Sequence, residues 1–262
     1  MTTRQIDSKP NLVLIPGGPG LSGETMRSLN ILEKDFEVTY FDPPGTGGRK
    51  EPRLNDYKGI LEDLTQMLNG LKGDIILCGH SFGGIVGAEL FLKEKFRVTA
   101  LICLSTPFSS DAFKSVSTQY TKFQTPELAE TSQVFDAQPD NETFRKWLAS
   151  YGDLYFSIAN HARGRTLILN DNVSAAAFLN TKVDATAAEP LLASLKVDKR
   201  PKLFINGADD KLILPKIAKH ESMLGGFSYF EVPNASHFVQ FEQPNEITSK
   251  IINFLKGEGE KT

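Results

Sequence analysis

The chain has 262 residues, 40% hydrophobic and 23% charged, enough apolar material for one substantial core and too much for a disordered or fibrous chain. A formal net charge of -3 and the lack of any Lys/Arg block leave no electrostatic footprint for a phosphate backbone, which excludes nucleic acid as a partner class. No apolar run approaches the roughly 20 residues that span a bilayer. Met1 to Pro10 is polar, without a signal-peptide apolar region, so the sequence predicts a soluble, cytoplasmic protein with no membrane partner.

The first apolar run, Asn11 to Ile15, reads as a buried strand stopped by Pro16-Gly17-Gly18-Pro19-Gly20. A second strand, Phe36 to Phe41, enters the breaker-rich loop Asp42-Pro43-Pro44-Gly45-Thr46-Gly47-Gly48. From Tyr57 to Leu71 the residues Tyr57, Ile60, Leu61, Leu64, Met67, Leu68 and Leu71 recur at helical spacing, with Asn55 or Asp56 as N-cap. Strand Ile75 to Cys78, a helix from about Phe82 to Phe96 and strand Val98 to Leu104 form the strand-helix-strand unit of a parallel sheet. The two cysteines, Cys78 and Cys103, sit inside those apolar runs and read as small buried hydrophobes.

From about Pro107 to Pro190 the alternation stops. Phe144, Trp147, Leu148, Tyr151, Leu154, Tyr155 and Ile158 share one helical stripe, and the segment reads as a helical cap. Such a stripe serves either internal packing or a pocket. The alternation resumes with strand Lys202 to Asn206, helix Leu214 to Leu224, strand Phe227 to Val232 and helix Asn245 to Leu255, and the tail Gly257 to Thr262 is expected to fray. The expectation is one core domain from residues 1–106 and 191–262, with a cap at 107–190.

Gly79-His80-Ser81-Phe82-Gly83 fits G-x-S-x-G after a buried strand and at the start of a helix, where a sharp turn lifts a serine hydroxyl clear of the sheet. A serine hydroxyl needs a base to take its proton and a carboxylate to fix the base's tautomer. Later strand ends offer Asp209 and Asp210, then His237, in the chain order Ser, Asp, His. His80 lies inside the turn with its ring expected to point away from Ser81, His161 falls in the cap and His220 in a surface helix. No Cys/His cluster has metal-ligand spacing, and Gly17 to Gly20 lacks the G-x-G-x-x-G of a dinucleotide site, so neither metal nor cofactor is expected.

These motifs resemble those of the α/β-hydrolase superfamily from about Asn11 to Leu255, and within it the proline iminopeptidase branch and related esterases. The signals are Pro16 to Gly20, similar to that branch's H-G-G-P-G, then Gly79 to Gly83, Gly207 to Asp210, and Ser236-His237-Phe238 followed by Glu242-Gln243-Pro244. The resemblance implies a mostly parallel central sheet flanked by helices, Asp210 rather than Asp209 as the acid, and an oxyanion hole from the backbone N–H of Phe82 and of Gly18, with Gly17 as the alternative. It departs from the iminopeptidases at Pro16, where they carry histidine, at Asp42-Pro43-Pro44-Gly45, where they carry D-Q-R-G, and at the elbow itself. Glu127, Glu130, Asp153 and Glu189 are the cap's candidates for binding a free amino group by charge alone.

The function this implies is a cofactor-independent serine hydrolase that cleaves a small ester, lactone or amide through an acyl-enzyme on Ser81. His80, Trp147, Tyr151 and Phe238 are expected to meet the small-molecule substrate, and Phe108, Phe113, Phe123, Phe135 and Tyr155 add aromatic surface to the cap. The competing readings are an iminopeptidase-like aminopeptidase and a ligand-binding protein of the same fold with little turnover.

Overall fold

The computed structural model describes residues 9–52 and 55–257. Most of Met1 to Pro10, and the tail beyond Gly257, on which the expected fraying bears, lie outside the described residues. The strands are β1 (Asn11–Ile15), β2 (Glu37–Tyr40), β3 (Ile75–His80), β4 (Val98–Leu104), β5 (Lys202–Gly207) and β6 (Ser228–Val232). They form one sheet in the order β2-β1-β3-β4-β5-β6, with every neighbouring pair parallel. A parallel sheet is covered on both faces by its crossovers. Accordingly β3 and β5 are buried along their whole length, while the outer strands β2 and β6 are partly exposed.

Alternation along β1 sends Val13 and Ile15 to one face and Leu12 and Leu14 to the other, each into its own apolar layer. Each such fully buried aliphatic side chain contributes roughly 1.5–3 kcal/mol. Cys103 joins the first layer and Cys78 the second, so the two thiols lie on opposite faces of the sheet, and burial raises both well above the ordinary thiol range.

The core helices are α1 (Tyr57–Gly70), opened by the Asp56 side chain accepting from the Gly59 N–H, and α2 (Phe82–Lys93). Helix α2 is apolar on nearly all sides because it is buried behind the sheet. It ends at Lys93 rather than near Phe96; Glu94 leaves helical geometry, and the Phe96 side chain is fully exposed.

The segment between β4 and β5 is helical: α3 (Ser110–Lys122), α4 (Pro126–Ala137), α5 (Asn141–Ala149), α6 (Gly152–Tyr155), α7 (His161–Asn170), α8 (Ala175–Asn180) and α9 (Ala185–Val197). The single aromatic stripe expected over 144–158 is broken. Helix α5 closes at Ser150, α6 restarts at Gly152, and Ile158 points to solvent at 94% exposure. The expected cap boundary at 190 falls inside α9, whose Ala188, Leu192 and Leu195 are buried.

Helices α10 (Pro215–Gly225), α11 (Val239–Glu242) and α12 (Pro244–Leu255) complete the chain, α10 ending on Gly226 in the left-handed conformation. A 3-10 helix, Gly23–Lys34, follows β1 and has no counterpart in the sequence reading. Its buried Met26, Leu29 and Leu32 recur every three residues, the period of that helix rather than of an α-helix.

Candidate active site

The carboxyl ends of β3, β5 and β6 converge under the cap, the usual position of a site in an open parallel sheet. Ser81 joins β3 to α2 with φ 50°, a strained conformation for a residue with a side chain. The Ser81 N–H donates to the Leu104 carbonyl at 2.8 Å and the Gly84 N–H to the Ser81 carbonyl at 2.9 Å. The flanking glycines are needed for space. A Cβ on Gly79 would run into the Gly83 backbone, one on Gly83 into the Ile15 and Pro16 carbonyls, and one on Gly84 into the Thr106 side chain.

Ser81 Oγ lies 3.1 Å from His237 Nε2, and His237 Nδ1 lies 3.0 Å from Asp210 Oδ2. The other Asp210 oxygen accepts from the Leu212 and Ile213 N–H groups at 2.8 and 2.9 Å. Asp210 is 2% exposed, whereas its neighbour Asp209 faces solvent. Of the two adjacent aspartates, the turn after β5 brings Asp210 to His237 and leaves Asp209 in solvent.

The histidine is held from three sides. Its backbone N–H donates to the Tyr155 carbonyl at 3.1 Å, tying it to the end of α6. One Glu242 oxygen accepts from the Ser236 N–H at 2.9 Å and the other from the Ser157 N–H at 3.0 Å, so the carboxylate bridges the histidine loop and the cap. Gly207 allows β5 to approach this loop, since a Cβ there would meet the Ala235 and Ser236 carbonyls. The Glu242-Gln243-Pro244 motif thus has a physical reason, with Gln243 Nε2 also donating to the Asn234 carbonyl at 3.2 Å.

His80 is buried, and its Nε2 makes a hydrogen bond to the His237 carbonyl at 2.9 Å. Burial, and then the neighbouring His237, hold its imidazole well below the usual histidine range, so it is neutral and donates through Nε2. It supports the loop of His237 and bonds to its backbone, with no hydrogen bond to Ser81. Gly17 packs against His80 Nδ1, while Gly18, at φ 119°, lines the cavity together with Phe82. The Phe82 N–H opens α2, where the first turn has no intrahelical acceptor.

A cavity of about 420 Å³ stands over Ser81. His80, Trp147, Tyr151 and Phe238, the residues expected to meet substrate, all line it, as do Phe113 and Tyr155. Phe108, Phe123 and Phe135 do not. Phe108 packs on Phe204 and Phe227, Phe123 on Tyr151, and Phe135 stacks on Trp147 and packs at a tilt on Phe144. Both readings of the aromatic content therefore hold, each for different residues.

Tyr120, Phe178 and Thr181 also line the cavity and were missed by sequence reasoning. Nothing in their local pattern distinguishes them from packing residues, and only the fold of the cap brings them over Ser81. Among the described residues no carboxylate lines the cavity. Glu127 pairs with Arg165, Asp153 with His161 at 3.2 Å, Glu189 accepts from the Ser110 N–H at 3.1 Å, and Glu130 is exposed. His220 is exposed on α10. Among the described residues no group of three or more His, Cys, Asp or Glu is placed to hold a metal, and no helix is long and apolar enough to cross a membrane.

Sheet order, elbow and cavity together define an α/β hydrolase, and the chain belongs to the alpha/beta hydrolase family, whose model matches residues 12–250. It is 26% identical over 260 residues to a pimeloyl-(acyl-carrier protein) methyl ester esterase of Nitrosospira multiformis, a match covering 94% of this chain and 95% of the relative. A thermophilic esterase from Thermogutta terrifontis has the same fold, with a TM-score of 0.73 at 20% identity over 95% of this chain and 90% of that one. MenH from S. aureus gives 0.70 at 22% identity, over 98% and 97% respectively. The narrower likeness to the iminopeptidase branch rests on the sequence motifs alone.

Proposed function

We propose that this chain is a serine esterase that cleaves a small, uncharged ester, with lactones and activated amides as slower substrates. The observation that carries the reading is the Ser81–His237–Asp210 relay, at 3.1 and 3.0 Å, on the floor of an aromatic cavity that presents no carboxylate. In this reading His237 Nε2 takes the Ser81 proton as Oγ attacks the carbonyl carbon. Asp210 keeps the imidazole proton on Nδ1 and stabilises the imidazolium. The N–H groups of Gly18 and Phe82 stabilise the oxyanion; losing one such donor costs about a hundred- to a thousandfold in turnover. His237 then passes the proton to the leaving alcohol, and water releases the acyl group by the same steps.

The near-complete match to a methyl ester esterase supports this class of bond. An aminopeptidase would have to accommodate a free ammonium group. Without a carboxylate in the cavity, burying that charge costs several kcal/mol. The test is fluorophosphonate labelling, expected on wild type and absent from Ser81→Ala. It is combined with kcat/KM for alanine and proline anilides against an uncharged acyl anilide of similar size. Labelling that survives Ser81→Ala removes the nucleophile assignment, and preference for the free-amine anilides replaces the esterase with an aminopeptidase.

A further inference from the structure

The cavity is apolar except for a few hydroxyl groups, and their protons do not balance. Tyr120 and Tyr155 both line it, and their phenol oxygens lie 2.8 Å apart. Each phenol carries one O–H proton, and one hydrogen bond between them uses one of the two. Neither oxygen has another hydrogen-bond partner among the described residues. Whichever tyrosine donates to the other, one O–H is left without an acceptor. Tyr155 is 5% exposed, so a surplus proton on Tyr155 is directed at the cavity, while Tyr120, which also lines the cavity, is half-buried. Burial raises both phenols far above their ordinary range, and the pair stays fully protonated. Thr181 adds a second instance: it lines the same cavity, is 6% exposed, and its hydroxyl has no partner.

A donor left unpaired in an apolar cavity is unfavourable, a penalty that a bound acceptor relieves. The charge of that acceptor is also constrained. Among the described residues no lysine or arginine lines the cavity, and burial keeps His80 neutral, so a carboxylate would enter without a standing cation. We propose that the substrate is a neutral ester bearing a second oxygen acceptor, such as a ketone, ether or second ester. The surplus O–H of the Tyr120–Tyr155 pair is the donor that reads it. Tyr120 and Tyr155 line the same cavity as Ser81 and His237, which puts this donor within the site. The inference rests on the esterase reading above and narrows its substrate.

The experiment compares methyl hexanoate, its 3-, 4- and 5-oxo derivatives and monomethyl adipate as substrates, by kcat/KM. At least one oxo ester is expected to exceed methyl hexanoate by tenfold or more, with monomethyl adipate the poorest. In the Tyr120→Phe/Tyr155→Phe double variant the oxo preference should fall to within twofold of unity. Binding gives a readout free of turnover. Trp147 is the only tryptophan and lines the cavity, so its fluorescence in Ser81→Ala titrates the same esters. If labelling of Ser81 fails, the esterase reading falls, while this titration still decides the recognition. Absence of any oxo preference in both readouts overturns the proposal. So does its survival in the double variant, or its loss in Thr181→Val alone. Should the double variant not fold, a threefold fall in preference in either single Tyr→Phe variant supports the assignment, and no fall in either overturns it.

Discussion

Asp210→Asn is the sharpest test of the relay, because the structure fixes which way the new amide must face. Asp210 Oδ1 accepts from the Leu212 and Ile213 N–H groups, and Oδ2 faces His237 Nδ1. An asparagine can satisfy the two backbone donors only by placing its carbonyl oxygen at the Oδ1 position. Its NH2 then points at His237 Nδ1, which must become an acceptor and move the imidazole proton to Nε2. That nitrogen faces Ser81 Oγ at 3.1 Å and can no longer take the serine proton. The alternative flip sets an amide N–H₂ against two N–H donors in a buried turn, so it offers no escape. Loss of the correct tautomer costs about ten-thousandfold in turnover, or about 5 kcal/mol of transition-state stabilisation. The assay is kcat and kcat/KM on a short-chain p-nitrophenyl ester, with Asp209→Asn as the control; that exposed side chain should change either by less than about twofold. Retention of a tenth of the activity by Asp210→Asn, or an equal loss in Asp209→Asn, would refute the reasoning.

Two further predictions concern the supports of the site. Gly207→Ala pushes a Cβ against the Ala235 and Ser236 carbonyls and displaces the loop that carries His237; kcat should fall by about 10²-fold, as for a shift of about 1 Å, while the circular dichroism spectrum is kept. Unchanged kcat would show that the loop yields without moving the imidazole. Glu221, on α10, is buried, accepts from the Phe108 N–H at 3.0 Å and from the Ser109 N–H, and its second oxygen has no partner. Burial lifts its pKa from 4.5 to about 7. Because the folded state holds this proton more tightly than the unfolded state, stability is greatest below pH 4.5 and is lost as pH rises from there to 7. Glu221→Gln keeps one acceptor oxygen for both N–H groups and should gain up to about 3 kcal/mol over wild type at pH 8 and nothing at pH 4. Thermal unfolding at the two pH values measures it, and an equal effect at both would sink the idea.

The strands and the elbow were legible because they depend on short-range rules. The runs at Asn11, Ile75, Val98 and Lys202 are largely buried on both faces and so are apolar over most of their length, and Gly79 and Gly83 are imposed by backbone contact. The 3-10 helix at 23–34 escaped because its apolar residues recur every three positions and match neither the strand period nor that of an α-helix. The break at Ser150 escaped for a different reason. Phe144, Leu148, Tyr151, Leu154 and Tyr155 are all buried as the stripe requires, but two short helices bury them, and apolar spacing alone does not register a change of helix direction.

The cap shows where local reading has to stop and why its failure falls on substrate rather than on chemistry. The proposed proton transfer at Ser81 uses three side chains, each fixed within a few residues of a strand end, and strand ends can be found from sequence. The cavity wall draws on Tyr120 from α3, Trp147 from α5, Tyr155 from α6 and Phe178 from α8, which meet only after several turns of chain have packed. Their rings form a connected row, from Tyr155 to Tyr120, Tyr151, Trp147 and Phe178, with centroids 6.3, 4.9, 5.3 and 5.2 Å apart. A substitution in that row therefore alters the packing of the rings next to it. Substrate preference should follow the row as a unit, whereas the relay beneath it is tied to the cap through the His237 N–H on the Tyr155 carbonyl and through Glu242. The first of these contacts comes from the backbone of Tyr155 and the second bypasses its side chain, but the Tyr155 ring also packs 6.3 Å from the ring of His237 and 5.8 Å from that of Phe238, so changes of this ring reach both the cavity and the base.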